Sequence, residues 1–172
     1  MDKIKRISIV GAPGTGKTTL AYKLKEIFNL PICHIDSIHH LPNWVLREEK
    51  ERDSMILEEI KKDEWIIDGT YTNTLEERAK VSDIVIFLDY PTITSLKGVF
   101  QRLSKDLGKE KPDIPGCKEK FDISFIIYVA GYNRQRRKVI VDILDKYENV
   151  KVFRSRKELE NWLENLKEST KR

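Results

Sequence analysis

The fold of this chain is decided by one stretch near its N-terminus, Gly11-Ala12-Pro13-Gly14-Thr15-Gly16-Lys17-Thr18. It fits the pattern of a glycine, four intervening residues, a second glycine, a lysine and a hydroxyl residue, whose backbone N–H groups surround phosphate oxygens. The glycines allow a tight turn because they carry no Cβ. The pattern predicts that Lys17 contributes charge to the β- and γ-phosphates of a nucleotide and that Thr18 contributes a hydroxyl ligand for Mg²⁺. We extend the predicted phosphate site by one residue, to Thr19.

The residues on either side of this loop have the required local pattern. Residues 4–10 are typical of a strand, and residues 19–28 of an amphipathic helix. Further strands are expected at 32–35, 65–67, 84–88 and 150–153. Because helices alternate with them, we predict an α/β fold: a three-layer α/β/α P-loop NTPase with a five-stranded parallel sheet.

Helices are expected over residues 47–62, 74–79, 91–107 and 121–147 and from 155 onward, the second and last opened by capping boxes at Thr74–Glu77 and Ser155–Glu158. Residues 108–116 contain two prolines and two glycines and break all periodicity. We expect a lid insertion there, extending over residues 108–137.

Length and composition limit the possibilities. The chain has 172 residues, 40% of them hydrophobic, which favours a single domain over residues 1–172. The net charge of +4 arises from 32 basic and 28 acidic residues, so the surface is mixed, which suits a nucleotide partner and does not demand nucleic acid. Cys33 and Cys117 lie in no metal-binding or CxxC pattern, and no apolar run approaches the ~18 residues of a membrane span. We therefore expect a soluble cytoplasmic protein with free thiols and no membrane contact; its oligomeric state is not predicted.

Acidic residues follow several of the expected strands. Ligands of open parallel sheets bind beyond the carboxyl ends of the strands, which places Asp36, Asp68 and Asp89 in favourable positions. We expect Asp68 to be the second Mg²⁺ anchor beside Thr18. Gly69 follows it, so the acid pair of motor-type ATPases is missing, and transfer to a bound acceptor is favoured over hydrolysis.

The acceptor side is expected around Asp36. His34 and Asp36 are two residues apart, which in a strand places them on one face. A carboxylate there would orient or deprotonate an acceptor hydroxyl, the alternative being a turn or helix cap. His34, His39 and His40 lack paired metal-ligand spacing, so we favour acceptor-pocket or loop-surface roles for them over a transition-metal site. Among the three, His34 is the residue expected to bind the acceptor. Trp44 either stacks on the acceptor or anchors its loop.

Phosphoryl transfer requires cations that spread the developing charge. The candidates beside the expected lid are Arg102, Arg134, Arg136 and Arg137, with Arg136 and Arg137 as catalytic residues and Arg102 and Arg134 as nucleotide-binding residues. The alternative for this set is a solvated basic helix face. We also expect Arg78 to bind an acceptor anion and Arg154 to stack on the nucleotide base. No Asn-Lys-x-Asp segment for guanine is present, so ATP is preferred over GTP.

With these residues in place, the chain resembles the small P-loop kinases related to adenylate kinase, and more specifically the bacterial family called DNA topology modulation proteins. The resemblance covers nearly the full length: residues 11–18, 33–36, Trp44, 65–71, Arg78, 87–89 and the Arg-rich helix. It implies an adenylate-kinase-like fold, ATP and Mg²⁺ as cofactors, a mobile lid and a phosphate acceptor near Asp36 and Asp68.

The resemblance does not imply nucleoside monophosphate kinase activity. Adenylate kinases follow the third-strand acid with Gly-Phe-Pro-Arg, whereas this chain has Gly69-Thr70-Tyr71-Thr72. The expected function is an ATP- and Mg²⁺-dependent kinase of an unidentified small acceptor, a nucleoside or nucleotide among the candidates. The alternative is an ATP-binding regulatory protein in which Arg134 to Lys138 contacts DNA and modulates its topology.

Overall fold

A parallel sheet forms the centre of the molecule. The computed structural model describes residues 4–170. The sheet contains five strands in the order β2-β5-β1-β6-β7, every neighbouring pair parallel. Its strands are β1 (Arg6–Gly11), β2 (Ile32–His34), β5 (Trp65–Asp68), β6 (Ile84–Leu88) and β7 (Val150–Phe153). Two further short strands, β3 (His40–Leu41) and β4 (Val45–Leu46), form an antiparallel hairpin. The predicted α/β class with five parallel strands is confirmed.

Eight helices accompany the strands within residues 4–170. They are α1 (Lys17–Phe28), α2 (Ile35–His39), α3 (Glu49–Glu59), α4 (Leu75–Val81), α5 (Thr92–Asp106), α6 (Ile123–Gln135), α7 (Arg137–Leu144) and α8 (Arg156–Thr170). None of the described helices is both long and apolar enough to cross a bilayer.

The core consists of apolar layers on both faces of the sheet. Ile7 and Ile9 of β1 pack with residues of α1 and α8, whereas Val10 packs with residues of α4 and α7. This arrangement follows from the strand period of two, which directs successive side chains to opposite faces. Burial of each such side chain contributes about 1.5–3 kcal/mol. Because the strands are parallel, the carboxyl ends of β2, β5, β1 and β6 lie at one edge of the sheet. The candidate site residues are found at this edge.

Several local expectations are corrected by the structure. The strand at 32–35 ends at His34, because Ile35 begins α2, and Asp36 therefore lies on a helix turn and not on a strand face with His34. Residues 37–39 complete α2, and a 3-10 turn over Pro42–Trp44 joins β3 to β4. The helix expected over 121–147 is interrupted at Arg136, whose φ of −112° departs from helical geometry.

Only one of the two predicted capping boxes forms. The Ser155 hydroxyl accepts a hydrogen bond from the Glu158 N–H at 3.2 Å, and the Glu158 carboxylate accepts one from the Arg154 N–H at 2.8 Å. Thr74 makes no capping bond, because a 3-10 turn over Thr72–Thr74 precedes α4 and its hydroxyl is buried without a partner.

Helix α5 lies directly against the phosphate loop, with Gly98 facing Gly14. A Cβ built on Gly98 would lie 1.9 Å from the Gly14 carbonyl oxygen, and one built on Gly14 would lie 2.2 Å from the Ser95 carbonyl oxygen. Both positions require glycine because backbone, which cannot rotate away, occupies the space.

We expect Gly98→Ala to destabilise the protein by about 1–3 kcal/mol, because α5 and the loop must separate. Gly131→Ala on α6 is the matched control, since its Cβ would meet only the side-chain nitrogen of Gln135 at 3.1 Å. Urea denaturation measures both free energies of unfolding. Equal stability of the two variants would contradict the described contact.

Candidate functional site

The phosphate loop connects β1 to α1 in the expected position. Gly14 and Gly16 have φ of 79° and 95°, a backbone conformation that favours glycine. The Lys17 ammonium donates a hydrogen bond to the Ala12 carbonyl at 3.0 Å. Burial lowers the pKa of Lys17, while the charges of Asp68 and Asp36 counteract that shift. The loop therefore holds its lysine within reach of two carboxylates.

Asp68, at the end of β5, joins the loop to the neighbouring strand. Its Oδ2 accepts hydrogen bonds from the Thr18 hydroxyl at 2.7 Å and from His34 Nδ1 at 3.0 Å. Its Oδ1 is buried and has no hydrogen-bond partner among the described residues. A buried carboxylate oxygen without a partner carries a free-energy cost, which a hard cation would remove. Thr18 and Asp68 thus fit the Mg²⁺ anchors expected from the sequence.

No group of three or more His, Cys, Asp and Glu residues with metal-binding geometry occurs within residues 4–170. A single carboxylate and a hydroxyl are nevertheless consistent with Mg²⁺, which takes most of its ligands from water and nucleotide phosphates.

His34 connects this pair to the 108–119 segment, which folds over the loop. Its Nε2 lies 3.6 Å from Asp113, whose carboxylate also accepts a hydrogen bond from the Tyr22 hydroxyl at 2.9 Å. Burial alone would lower the pKa of His34, but the hydrogen bond and charge of Asp68, with the charge of Asp113, outweigh it and raise the pKa. The imidazole accordingly joins two carboxylates from different parts of the chain.

A cavity of about 1370 Å³ opens at the loop. Fourteen of the residues predicted for the site line it: Gly11, Pro13, Gly14, Thr15, Gly16, Lys17, Thr18, Thr19, His34, Asp36, Trp44, Asp68, Arg102 and Arg136. Asp36 is exposed within it, and its charge acts on Lys17, His34 and His39. The sequence therefore identified residues that the fold brings together, although from separate elements.

Five predicted residues, Ala12, Arg78, Arg134, Arg137 and Arg154, are not among the residues that line the cavity. Ala12 takes part through its carbonyl, which accepts from Lys17. Arg137 forms a two-pronged ion pair with Asp89, with both N···O distances 2.7 Å. We expected Arg137 in catalysis; its guanidinium instead attaches the start of α7 to the end of β6.

Arg78 has a structural position that the sequence did not reveal. Its side chain is fully buried and donates hydrogen bonds to the carbonyls of Gly69 and Tyr71, each at 2.9 Å. Burial lowers its pKa to about 10. The segment that it supports carries Thr70, whose hydroxyl accepts from the Gly11 N–H at 2.7 Å and donates to the Gly11 carbonyl at 2.8 Å. Arg78 thus holds the β5 end against the phosphate loop, and its guanidinium is not directed to the cavity.

Trp44 attaches the β3–β4 hairpin to the 108–119 segment. Its indole Nε1 donates to the Lys118 carbonyl at 2.9 Å, and its backbone N–H donates to Cys117 Sγ at 3.3 Å. The backbone N–H of Asn43 also donates to the Gly116 carbonyl at 3.0 Å. Of the two roles considered for Trp44, these contacts support loop anchoring, while the indole still borders the cavity.

Several residues of the cavity were missed by the sequence reasoning. They include Lys111, Asp113 and Glu119 on the 108–119 segment, Thr70, Tyr128 and Tyr132, and Arg156 and Glu160 of α8. Arg156 lines the cavity, whereas Arg154, for which we expected a role at the nucleotide base, does not. The 108–119 segment has no periodicity that would indicate which side chains point inward. Its position within the predicted lid is a signal that could have pointed to its lysines as cavity residues.

The comparisons with known proteins identify the fold. Solved structures that align over most of both chains include shikimate kinase from Acinetobacter baumannii in complex with shikimate (16% identity, TM-score 0.60, 95% of this chain and 96% of that one). Shikimate kinase from Bacteroides thetaiotaomicron aligns with 19% identity and a TM-score of 0.61, over 98% of this chain and 99% of that one. Gluconokinase from Sinorhizobium meliloti aligns with 12% identity and a TM-score of 0.53, over 99% of this chain and 93% of that one. The chain shares the fold of these P-loop small-molecule kinases.

No family model and no curated protein matches the chain. The narrower resemblance to the DNA topology modulation proteins therefore remains a prediction from the motifs, whereas the kinase-like P-loop fold is established by the structural likeness.

The pKa values of two cavity histidines, His34 and His39, are shifted in opposite directions. Burial lowers the pKa of His39 to about 4, whereas the pKa of His34 is raised above its ordinary value of about 6.5. The stabilising contribution of His34 is therefore complete below pH 6.5 and is lost as pH rises through its folded pKa. The neutral form of His39 is favoured by the fold, so stability is lost as pH falls from about 6.5 towards 4.

NMR measurement of the ring ¹⁵N chemical shifts of His34 and His39 as a function of pH tests both pKa shifts. Asp68→Asn should lower the pKa of His34 and leave that of His39 unchanged. Titration of both imidazoles at the model-peptide value would contradict the described contacts.

Proposed function

We propose that the chain is an ATP- and Mg²⁺-dependent phosphotransferase that acts on a small hydroxylated acceptor. The observation that carries the proposal is one cavity holding both the Thr18–Asp68 pair and Asp36. The pair fits the metal of a nucleotide, and Asp36 is an exposed carboxylate suited to an acceptor hydroxyl.

Each group has a definite role in the proposed reaction. The acceptor oxygen would bond to the γ-phosphorus as the bond to the β,γ-bridging oxygen breaks, with the acceptor proton passing to Asp36. Lys17 and the loop N–H groups hold the phosphates, and Arg102 and Arg136 stabilise the charge of the transferred group. Mg²⁺ held by Thr18 and Asp68 would neutralise charge on the β- and γ-phosphates.

The nature of the acceptor follows from what surrounds Asp36. The neutral His39, the indole of Trp44 and the rings of Tyr71 and Tyr128 border that side of the cavity. Such walls suit a small ring or chain with hydroxyl groups. The structural neighbours support this choice, since they are kinases of small molecules and one was crystallised with shikimate. A nucleoside monophosphate is less favoured as the acceptor. The arginine of the adenylate-kinase Gly-Phe-Pro-Arg segment is absent from this chain, and Arg78 cannot replace it because its side chain is buried.

The DNA-binding alternative has less support. The basic cluster that would contact phosphates is divided: Arg136 lines the cavity, whereas Arg137 is paired with Asp89. Arg134 and Lys138 are exposed elsewhere. A duplex-binding assay at several salt concentrations distinguishes the functions, since a DNA protein would show a steep salt dependence. We expect weak binding at physiological salt.

ATP consumption with a panel of nucleosides, nucleotides, sugars and hydroxy acids tests the proposal. We expect at least one acceptor to stimulate consumption, Lys17→Ala to abolish it, and Asp36→Asn to lower kcat about 10²- to 10⁴-fold because the proton acceptor is lost. Asp63→Asn, at a carboxylate that is 96% exposed, is the matched control and should behave as wild type. Failure of every acceptor, with Asp36→Asn unchanged in ATP turnover, would refute the proposed function.

A further inference from the structure

Lys111 of the 108–119 segment differs from the lysines around it. Its side chain is only 16% exposed and borders the cavity. Lys109, two residues earlier, is 64% exposed and pairs with Asp106, and Lys118 lies outside the cavity lining. Ordering and partly desolvating a lysine costs free energy, so a half-buried ammonium next to a cavity needs an explanation.

The contacts of Lys111 fix its position without using all of its donors. Its Nζ lies 3.8 Å from a carboxylate oxygen of Glu119 and 5.5 Å from the ring centroid of Trp44. Glu119, only 6% exposed, lies closer to Arg102, with an N···O distance of 3.0 Å. An ammonium has three N–H donors, and one long ion pair leaves others available for a ligand.

Three cations from separate elements converge above the phosphate loop. The charges of Arg102 and Lys111 both act on Lys17 and contribute to the lowering of its pKa. Like charges at close range repel one another, and Glu119 offsets this repulsion only in part. A ligand with several negative charges, such as a nucleoside triphosphate, would neutralise the three together.

The attachment of the segment indicates which phosphate Lys111 would meet. Trp44 anchors the segment to the β3–β4 hairpin, which follows α2 and its Asp36 on the acceptor side. The charges of Asp36 and Lys111 also both act on Lys17, the loop residue expected at the β- and γ-phosphates. Lys111 therefore lies near the part of the loop at which the terminal phosphate of a nucleotide would bind.

We propose that Lys111 binds the terminal phosphate of the nucleotide, and that Glu119 is a positioning residue that holds it beside Arg102. This inference rests on the proposed phosphotransferase function. It adds to the loop lysine a second ammonium, supplied by the 108–119 segment.

The test compares two nucleotides that differ only in the terminal phosphate. Calorimetry of the full chain with Mg²⁺ measures the affinities for ADP and for the β,γ-imido analogue of ATP. Lys111→Met keeps the aliphatic stem over Trp44 and removes the charge. We expect it to weaken binding of the imido analogue about tenfold, the loss of one charge-assisted contact, and to leave binding of ADP within about twofold.

Lys118→Met, in the same segment but outside the cavity lining, is the matched control and should change neither affinity beyond about twofold. Thermal melting checks the folding of each variant, and Lys111→Gln replaces the methionine variant if that one melts early. If Lys111→Met weakens the binding of both nucleotides equally, or of neither, the proposed role of Lys111 is overturned, whereas the proposed phosphotransferase function is not. If wild type binds neither nucleotide, the proposed function fails, and the role of Lys111 with it.

Discussion

The hydrogen bond between Thr18 and Asp68 is the interaction on which the arrangement of the site depends. It joins the first turn of α1 to the end of β5 at 2.7 Å and leaves the other oxygen of Asp68 buried and unpartnered. The same carboxylate holds His34, which extends the connection to Asp113 on the 108–119 segment. Through Thr18 and His34, this one carboxylate connects the phosphate loop, β2 and the 108–119 segment.

Neighbouring contacts make this arrangement rigid. Thr70 brackets the backbone of Gly11, and the buried Arg78 supports the carbonyls on either side of Thr70. Breaking a buried guanidinium–carbonyl pair leaves polar groups without partners at a cost of about 1–3 kcal/mol each. A site built in this way is preorganised: its groups need little rearrangement when phosphate arrives, which is the property that electrostatic catalysis requires.

The sequence predicted the parts of the fold that depend on local pattern. The loop, the five strands and most helices follow from glycine positions and apolar periodicity, and the strand-end rule located Asp36 and Asp68. It could not predict that Arg78 is buried, because an arginine after a strand looks the same whether it faces solvent or backbone carbonyls. Nor could it separate Arg136 from Arg137, since the ion pair of Arg137 with Asp89 joins residues that are far apart in the sequence. Lys111 and Glu119 were missed because their positions depend on long-range contacts with Arg102 and Trp44.

We infer that Asp68 turns its unpartnered oxygen to the metal of a bound nucleotide. Electron paramagnetic resonance of Mn²⁺, used in place of Mg²⁺ with the imido analogue of ATP, measures that interaction without an acceptor. We expect Asp68→Asn to weaken Mn²⁺-nucleotide binding about tenfold or more and to change metal-free nucleotide binding little, because a carboxylate is the harder ligand. Equal Mn²⁺-nucleotide binding by wild type and Asp68→Asn would contradict this inference.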